Sequence, residues 1–416
     1  MTTRLDRPAP EAAGCRRRPD PGGARRGVDR TGRIRCPRRH RLGFDYAWAV
    51  EHHFLEEYSH SSAPEVLLGA ASQRTKQIRL GHGVMVLPPG VNPTGRAAER
   101  IGTLDLLSRG RVEFGTGESS TEIELGGFNV DKADKRAAWR EAVGAVTRMM
   151  VEEPFAGYDG EHVKMPQRNV VPKPLQKPHP PLWTACSKHE TLMHAARHGM
   201  GGLTVSFVAS DQAKKWVDDY YAVIESPECV PAGFSVNPQV AMTMYLMCAP
   251  DVATARERGL ADHRFFARSL MYYWGMGELA PGRTNLARDL GLDLPKAVVD
   301  KSFPQELDGP YGGVGTPEQI KAVLRKYEEA GVDQILMISQ SGRIKHEHIC
   351  ESMELFAREV MPEFAERHER AEAAKMERLA PAIEAALARR EPPRQADPSY
   401  RVASTVPRPD RDAPGA

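Results

Sequence analysis

No stretch of this 416-residue chain approaches the roughly 20 apolar residues that a membrane-spanning helix needs, and its most apolar runs, such as Gly83 to Leu87, are only strand length. A membrane span is therefore not expected. Cysteine is sparse: Cys15, Cys36, Cys186, Cys229, Cys248 and Cys350 are scattered with no C-x-x-C pair. That spacing excludes a zinc ribbon and a disulfide-dense secreted scaffold, and makes a cytoplasmic protein with reduced thiols the expectation. There is no P-loop and no H-E-x-x-H. The one G-x-G-x-x-A string, Gly275 to Ala280, runs into Pro281-Gly282 instead of following a strand and opening a helix, so it does not cradle a pyrophosphate in that way.

What is present is a globular composition, 41% apolar and 27% charged, enough for one large domain or two medium ones. The net charge of +2 hides an asymmetry. Residues 1 to 42 hold thirteen arginines against Asp6, Glu11, Asp20 and Asp29, so the rest of the chain is mildly acidic. The large apolar residues there are Met1, Leu5, Val28, Ile34 and Leu42, too few for a strand or an amphipathic helix, and residues 1–41 are expected to be a disordered Arg/Pro/Gly-rich segment. Arg16 to Arg18 is followed by Pro-Asp-Pro-Gly-Gly, which is no secretory signal. Without interleaved aromatics the segment is not read as a nucleic-acid arm.

From Gly43 onward short apolar runs alternate with helical patterns, the signature of a parallel sheet with crossover helices. Seven strands are expected: Tyr46 to Val50, Ile78 to Leu87, Val112 to Gly115, Leu182 to Ala185, Leu203 to Phe207, Val240 to Cys248 and Gln334 to Ile338. Ser62-Ala63-Pro64-Glu65 and Ser187-Lys188-His189-Glu190 read as capping boxes. Asn92-Pro93 and Thr316-Pro317-Glu318 also read as helix starts, the first opening a helix whose apolar face holds Ala97, Ile101, Leu104 and Leu107. In the helix after Ser62, the expected apolar residues are Val66, Leu67 and Ala71. A long helix from about Lys132 to Glu152 precedes a Pro/Gly-rich excursion, Phe155 to Pro181, which is a candidate active-site loop by its length. Residues 275 to 312 form a second insertion, and residues 369–416 are expected to be a charged helix and a disordered tail beyond a barrel domain of 42–368. On pattern alone, a (β/α)₈ barrel and a doubly wound sheet fit about equally.

The most unusual string is Glu51-His52-His53-Phe54, at the C-terminal end of the first of these strands and hence on a barrel's catalytic face. Adjacent histidines on extended chain point opposite ways, so at most one faces a site while the other packs or caps. Glu56, Glu57 and His60 follow, but nothing in the spacing specifies a two-His, one-carboxylate metal triad, and no metal is assigned. Ser187 at a strand-to-helix turn offers a phosphate seat or an ordinary cap. Cys186 beside it lacks an assigned base, which argues against a nucleophile. Gly115-Thr116-Gly117 allows close backbone approach to a flat ring.

Taken together, Leu42-Gly43-Phe44-Asp45, Glu51-His52-His53-Phe54, Ile78-Arg79-Leu80-Gly81, Val86-Leu87-Pro88, Asn92-Pro93, Leu104-Asp105, Ser108-Arg109-Gly110-Arg111, Phe114-Gly115-Thr116-Gly117 and Gly315-Thr316-Pro317-Glu318 resemble the luciferase-like monooxygenase family over about residues 42 to 365. The resemblance implies a (β/α)₈ TIM barrel and decides against the open sheet. It implies His52 as an acid/base beside the flavin and Gly83-Val84 as the place of a non-prolyl cis peptide against the flavin ring. It further implies Ser187 and Thr191 at the phosphate turn, with Gly117, Thr204 and Ser206 lining the cofactor. Glu190 stands where a second hydroxyl is often found, and Glu118 where some relatives are basic.

The activity so implied is a cytoplasmic monooxygenase that takes reduced FMN from a flavin reductase and oxygenates a small organic substrate with molecular oxygen, as a homodimer. Hydride transfer with a deazaflavin coenzyme is the same-fold alternative. The family's first strand and helix have no counterpart in residues 1–41, which suggests a shifted reading frame. A non-catalytic, poorly soluble product is the reading from a different class.

Overall fold

The structure is a computed structural model that describes residues 42–205, 208–276, 279–289 and 312–403. Its centre is a parallel sheet of seven strands: β1 (Tyr46–Ala49), β2 (Arg79–His82), β3 (Val112–Gly117), β4 (Leu182–Cys186), β5 (Gly201–Thr204), β6 (Val240–Tyr245) and β7 (Gln334–Ile338). The short strand Met85–Val86 continues β2 and pairs with Thr116 and Gly117. All seven expected strands are present, and they pair in chain order, β1 through β7. A doubly wound sheet reverses its order at a switch point. Consecutive order with no reversal is the winding of a barrel, so the architecture is the (β/α)₈ type. Among the described residues no strand joins β7 back to β1, and the sheet is an incomplete barrel. Exposure marks the gap: every residue of β3, β5 and β6 is buried, whereas every residue of β7 is half-buried. The expectation about residues 1–41 lies outside the described residues.

Strand alternation sorts the side chains into two layers. In β3, Val112 and Phe114 point outward into the apolar layer beneath the helices, while Glu113 reaches inward to the Trp183 indole N–H at 2.6 Å. The interior holds Trp183, Leu203 and Ala241 with Trp48, Val84 and Leu336, the two indoles meeting edge to face at 5.4 Å. Around the sheet lie α1 (Pro64–Arg74), α2 (Thr94–Ser108), α3 (Glu122–Gly127), α4 (Lys135–Val151), α5 (His189–Arg197), α6 (Ser210–Ile224), α7 (Ala261–Met271), α8 (Pro317–Glu329), α9 (His346–Glu359) and α10 (Met361–Ala388). None of the described helices is long and apolar enough to cross a membrane. Cys186, Cys229, Cys248 and Cys350 are all unbridged.

The N-terminal ends of the strands are tied by polar groups. Arg111 is buried and donates to the Ser108, Ile78, Ser72 and Thr75 carbonyls and to the Thr75 hydroxyl, fastening the ends of α1 and α2 to the start of β2. Its approach needs the sharp turn that Arg109 and Gly110, both at positive φ, supply after α2. The latter part of the excursion 155–181 lies on this same face. Gln176 bonds the Asp105 carboxylate and the Val112 carbonyl, and Lys173 reaches the carbonyls ending α4. These bonds tie the end of the excursion to the strands' N-terminal ends, where a segment between a helix and the next strand must return.

Several helix starts also differ from expectation. Thr316 caps α8 reciprocally with Gln319, as its spacing suggests. At α1, however, the cap position falls to Ala63, whose methyl has no acceptor to offer, and Glu65 turns to Arg100 at 2.7 Å. On α1 the buried face is Pro64, Leu68 and Ser72, which leaves Val66 and Leu67 exposed; on α2, Leu107 is exposed as well. The 368/369 boundary falls within α10, which is continuous to Ala388 and buries Leu379 and Ala386. Residues beyond 391 are not free up to 403: the Arg394 N–H donates to Glu152 at 2.9 Å, and Gln167 exchanges two bonds with the Asp397 backbone. These anchors are polar, so a hydropathy reading misses them.

Three fully buried histidines sit in the fold as neutral rings. His179 donates from Nδ1 to the Pro180 carbonyl and accepts the Phe234 N–H at Nε2, a pattern only the neutral ring can make. Burial pushes His82 and His179 down to about 4 and His263 to about 3. Because the unfolded chain binds these protons near pH 6.5 and the folded chain does not, stability is full above that pH and falls as pH drops toward 4. Urea unfolding at pH 7 and pH 5 should show a loss of up to about 2 kcal/mol per histidine. A flat profile would show that these rings are not held neutral.

Candidate active site

At the C-terminal end of β1 the chain leaves the sheet as Glu51-His52-His53 and turns at Phe54, whose φ of 63° is in the left-handed region. The two histidines diverge, as extended chain requires, but each meets a carboxylate. His53 Nε2 lies 3.0 Å from Glu51, and its ring packs edge-on against Phe128. His52 Nδ1 lies 3.1 Å from Glu124, with Tyr58 and Trp274 edge-on to its ring at 5.2 and 5.8 Å. His52 therefore stands in an aromatic corner and His53 in the wall behind it.

Glu124 is the organising group. Its carboxylate accepts from His52, the His53 N–H, the Ser119 hydroxyl and the Thr121 hydroxyl. Thr121 caps α3 by accepting the Glu124 N–H, so the Thr121-x-x-Glu124 spacing of a capping box is present, but the acid turns toward the histidines. Burial pushes the Glu124 carboxyl up, yet the bonds from His52, Thr121 and His53 outweigh it and hold the group below the ordinary carboxylate range. An ionised carboxylate only accepts, so Nδ1 of His52 carries hydrogen and Nε2 is left to take or give a proton. The sequence reading missed Glu124, although its capping-box spacing was visible.

Glu51 holds the adjoining turn. One oxygen accepts the Val86 N–H at 3.0 Å and the other accepts from Asn92 at 2.8 Å, while Asn92 also bonds the Val86 carbonyl. Asn92 is thus a strap across the rim and not the cap of α2, where Pro93 takes the cap position. Between these anchors the Gly83–Val84 peptide is cis. Val84 packs over Gly117, where a Cβ would stand 2.5 Å from Val84 Cγ2, and the room at Gly115 is taken by the His82 carbonyl. The clearance of both glycines is used by the chain itself.

Glu56, Glu57 and His60, which follow the histidine pair, turn to separate partners. Glu56 accepts the Gly282 and Thr284 N–H groups, Glu57 accepts that of Leu286, and His60 bonds the Glu56 carbonyl. These bonds and the packing of Leu55 with Tyr272, Tyr273 and Leu286 draw the described part of the second insertion over the His52 corner.

At the next rim segment Ser187 is exposed and Lys188, not Ser187, occupies the cap of α5. The Thr191 hydroxyl accepts the Lys188 N–H at 3.1 Å and so does the work expected of Glu190. Glu190 instead faces Arg136 and His194 at 3.8 and 3.6 Å, and Arg136 also reaches Glu118 at 3.4 Å. Cys186 is buried and pushed up to about 12, which removes it as a nucleophile. Thr204 is buried, its hydroxyl donated to the Ala241 carbonyl. Ser206 lies outside the described residues.

A parallel sheet wound in consecutive order, with an oriented histidine on the strands' C-terminal rim, is of the TIM-barrel type. The chain belongs to the luciferase-like monooxygenase family, whose model matches residues 38–334. That family includes flavin-dependent monooxygenases and F420-dependent oxidoreductases. Among curated relatives, an uncharacterized protein y4wF of Sinorhizobium fredii is 36% identical over 38% of this chain and 45% of its own length. The chain thus spans under half the length of the first curated relatives it matches. The oxygenase component of the flavin-dependent trigonelline monooxygenase of Acinetobacter baylyi is 23% identical over 80% of this chain and 88% of its own. Monooxygenase RslO1 of Streptomyces bottropensis superposes with a TM-score of 0.62 at 26% identity, over 78% of this chain and 90% of that one. Two further structures share the fold. The oxygenating constituent of 3,6-diketocamphane monooxygenase from Pseudomonas putida, in complex with FMN, has TM-score 0.58 at 19% identity over 78% and 90% of the two chains. An F420-dependent secondary alcohol dehydrogenase has TM-score 0.57 at 16% identity over 77% and 90%.

Replacing Glu124 with alanine strips four donors of their acceptor. Urea unfolding of Glu124→Ala should show a loss of about 2 to 3 kcal/mol, and Glu124→Gln, which keeps one acceptor oxygen, should lose less. Equal, small losses would mean that solvent replaces the carboxylate freely.

Proposed function

We propose that this chain is the oxygenase component of a two-component, flavin-dependent monooxygenase of the cytoplasm, acting on a small organic substrate with molecular oxygen. Reduced FMN would come from a separate flavin reductase. The observation that carries this reading is the His52–Glu124 pair under Tyr58 and Trp274 at the barrel rim. When bound, the reduced flavin supplies the electrons and activates oxygen. The chain's part is to hold and move a proton at His52 Nε2, to orient that ring through Glu124, and to keep water out with the aromatic corner. The donor set at the start of α5 suits a flavin phosphate: an exposed Ser187 hydroxyl, N–H groups at a helix start, and the cations Lys188 and Arg136. Val84 would lie against the ring, with Gly83, Gly117, Thr191 and Thr204 supporting the backbone there. The homodimer is assigned to α1 and α2, which expose Val66, Leu67, Leu106 and Leu107.

The deazaflavin reading keeps the same site and replaces oxygen chemistry with hydride transfer; the fold shared with F420-dependent enzymes supports it. Oxygen uptake with reduced FMN, set beside reduction of F420 by candidate alcohols, separates the two. A chain that holds neither cofactor would instead support the non-catalytic reading.

His52→Ala should lower turnover by about 10² to 10⁴-fold with flavin affinity little changed, the usual worth of a positioned acid/base. His53→Ala should mainly lower stability. Steady-state kinetics on both variants decides, and a larger kinetic effect at His53 would reverse the assignment.

At the phosphate turn, Ser187→Asp places a negative charge where the phosphate would sit without removing the Lys188 cap. Melting temperature should hold while FMN affinity falls by about tenfold or more, as read by fluorescence titration. An unchanged affinity would leave Ser187 outside the cofactor site.

A further inference from the structure

A cavity of about 260 Å³ opens on the outer side of α4 and is walled by Arg140, Arg148, Arg390 and Arg394, with Tyr158 and Phe234 as aromatic faces. It lies away from the His52 rim. Arg148 and Glu152 end α4, and a helix returning from the strands' C-terminal ends finishes at their N-terminal ends. The cavity is completed by the segment after α10, which no hydropathy reading would have brought there.

The charges in this cavity are unbalanced. Arg148 is the most enclosed: its side chain is 9% exposed, its guanidinium stands 5.1 Å from the Phe155 ring centre and 5.7 Å from that of Tyr158. Nε and Nη2 are held by Glu152 at 2.6 and 3.0 Å, but Nη1 is buried with no acceptor among the described residues. Arg390 stacks on Phe234 at 3.8 Å and donates to the Gly233 carbonyl, with no carboxylate at bonding distance among the described residues. Burial, and next the positive Arg148, pull the Arg390 guanidinium below its ordinary range. Arg394 has only the exposed Glu391 at 3.8 Å, and Arg140 makes no ion pair among the described residues. Like charges placed this close cost stability unless an anion sits between them.

We propose that this cavity binds a small organic or inorganic oxyanion, a carboxylate or a phosphate, held by Arg390 and Arg140 in the positive field of the buried Arg148. The modest volume favours a ligand of few heavy atoms, and guanidinium groups match both oxyanions bidentately. The site is separate from the flavin phosphate seat at Ser187 and does not depend on the proposed activity.

The test titrates the full-length, flavin-free protein with benzoate and with inorganic phosphate at constant ionic strength, using chloride as the reference. Calorimetry and thermal unfolding are the two readouts. At least one probe should bind saturably in the micromolar to millimolar range and raise the melting temperature. Arg390→Gln and Arg140→Gln should each weaken that binding about tenfold or more, whereas Ser187→Asp should leave it intact. Arg140 is exposed, so its variant remains informative if Arg390→Gln fails to fold. Binding of benzoate alone identifies a carboxylate site, and of phosphate alone a phosphate site. No saturable binding by either probe, or binding that survives Arg140→Gln and is lost in Ser187→Asp, overturns the proposal.

Discussion

The rim of this barrel depends on one buried carboxylate. Glu124 stays ionised only because four donors converge on it, and those donors come from three places: the end of β1, the loop after β3 and the cap of α3. Taking a carboxylate out of water is costly unless its oxygens are fully bonded. Glu124 is therefore both a cost and a constraint: the loop after β3 must close against the histidine turn for the charge to be tolerated. The same contact fixes the tautomer of His52, so the bond that organises the rim also sets what His52 can do.

The opposite face is organised by the same kind of economy. Arg111 and Asp105 are buried charged groups whose partners are mostly backbone, and each gathers the ends of separate helices and strands into one plane. Motifs that mark the family thus divide by face. Ser108-Arg109-Gly110-Arg111 and Leu104-Asp105 serve the scaffold, whereas Glu51-His52-His53 and Asn92 serve the rim. Their common feature is a polar side chain in a sheet whose flanks are otherwise apolar.

Charge around the proposed phosphate turn follows a different pattern. Glu118 and Glu190, the two positions that depart from relatives, are both drawn toward Arg136, and Glu118 also lies 3.7 Å from Lys135. The acids are therefore matched locally by cations on α4. A phosphate arriving there would compete for Arg136 with two carboxylates, so the strength of that seat rests on the balance among these groups.

The seven strands, the histidine pair at a strand end and the cap at Thr316 were legible because each depends on local pattern: period-two alternation, chain direction and a three-residue capping spacing. The same local logic misassigned Ser62, Asn92 and Ser187 as caps. There a side chain three residues on, or a partner more than thirty positions away, offered a stronger bond than the adjacent backbone, as Glu65 finds in Arg100 and Asn92 in Glu51. The sequence by itself determined the parallel sheet and the family, since strand length, periodicity and motif order are properties of contiguous residues. Tertiary structure alone decided that Glu124 faces His52, that Val84 fills the space above Gly117, and that the segment after α10 closes an arginine-lined cavity. Those outcomes require charges and apolar faces far apart in sequence to share one low-dielectric space, and their energies exist only once the chain has folded.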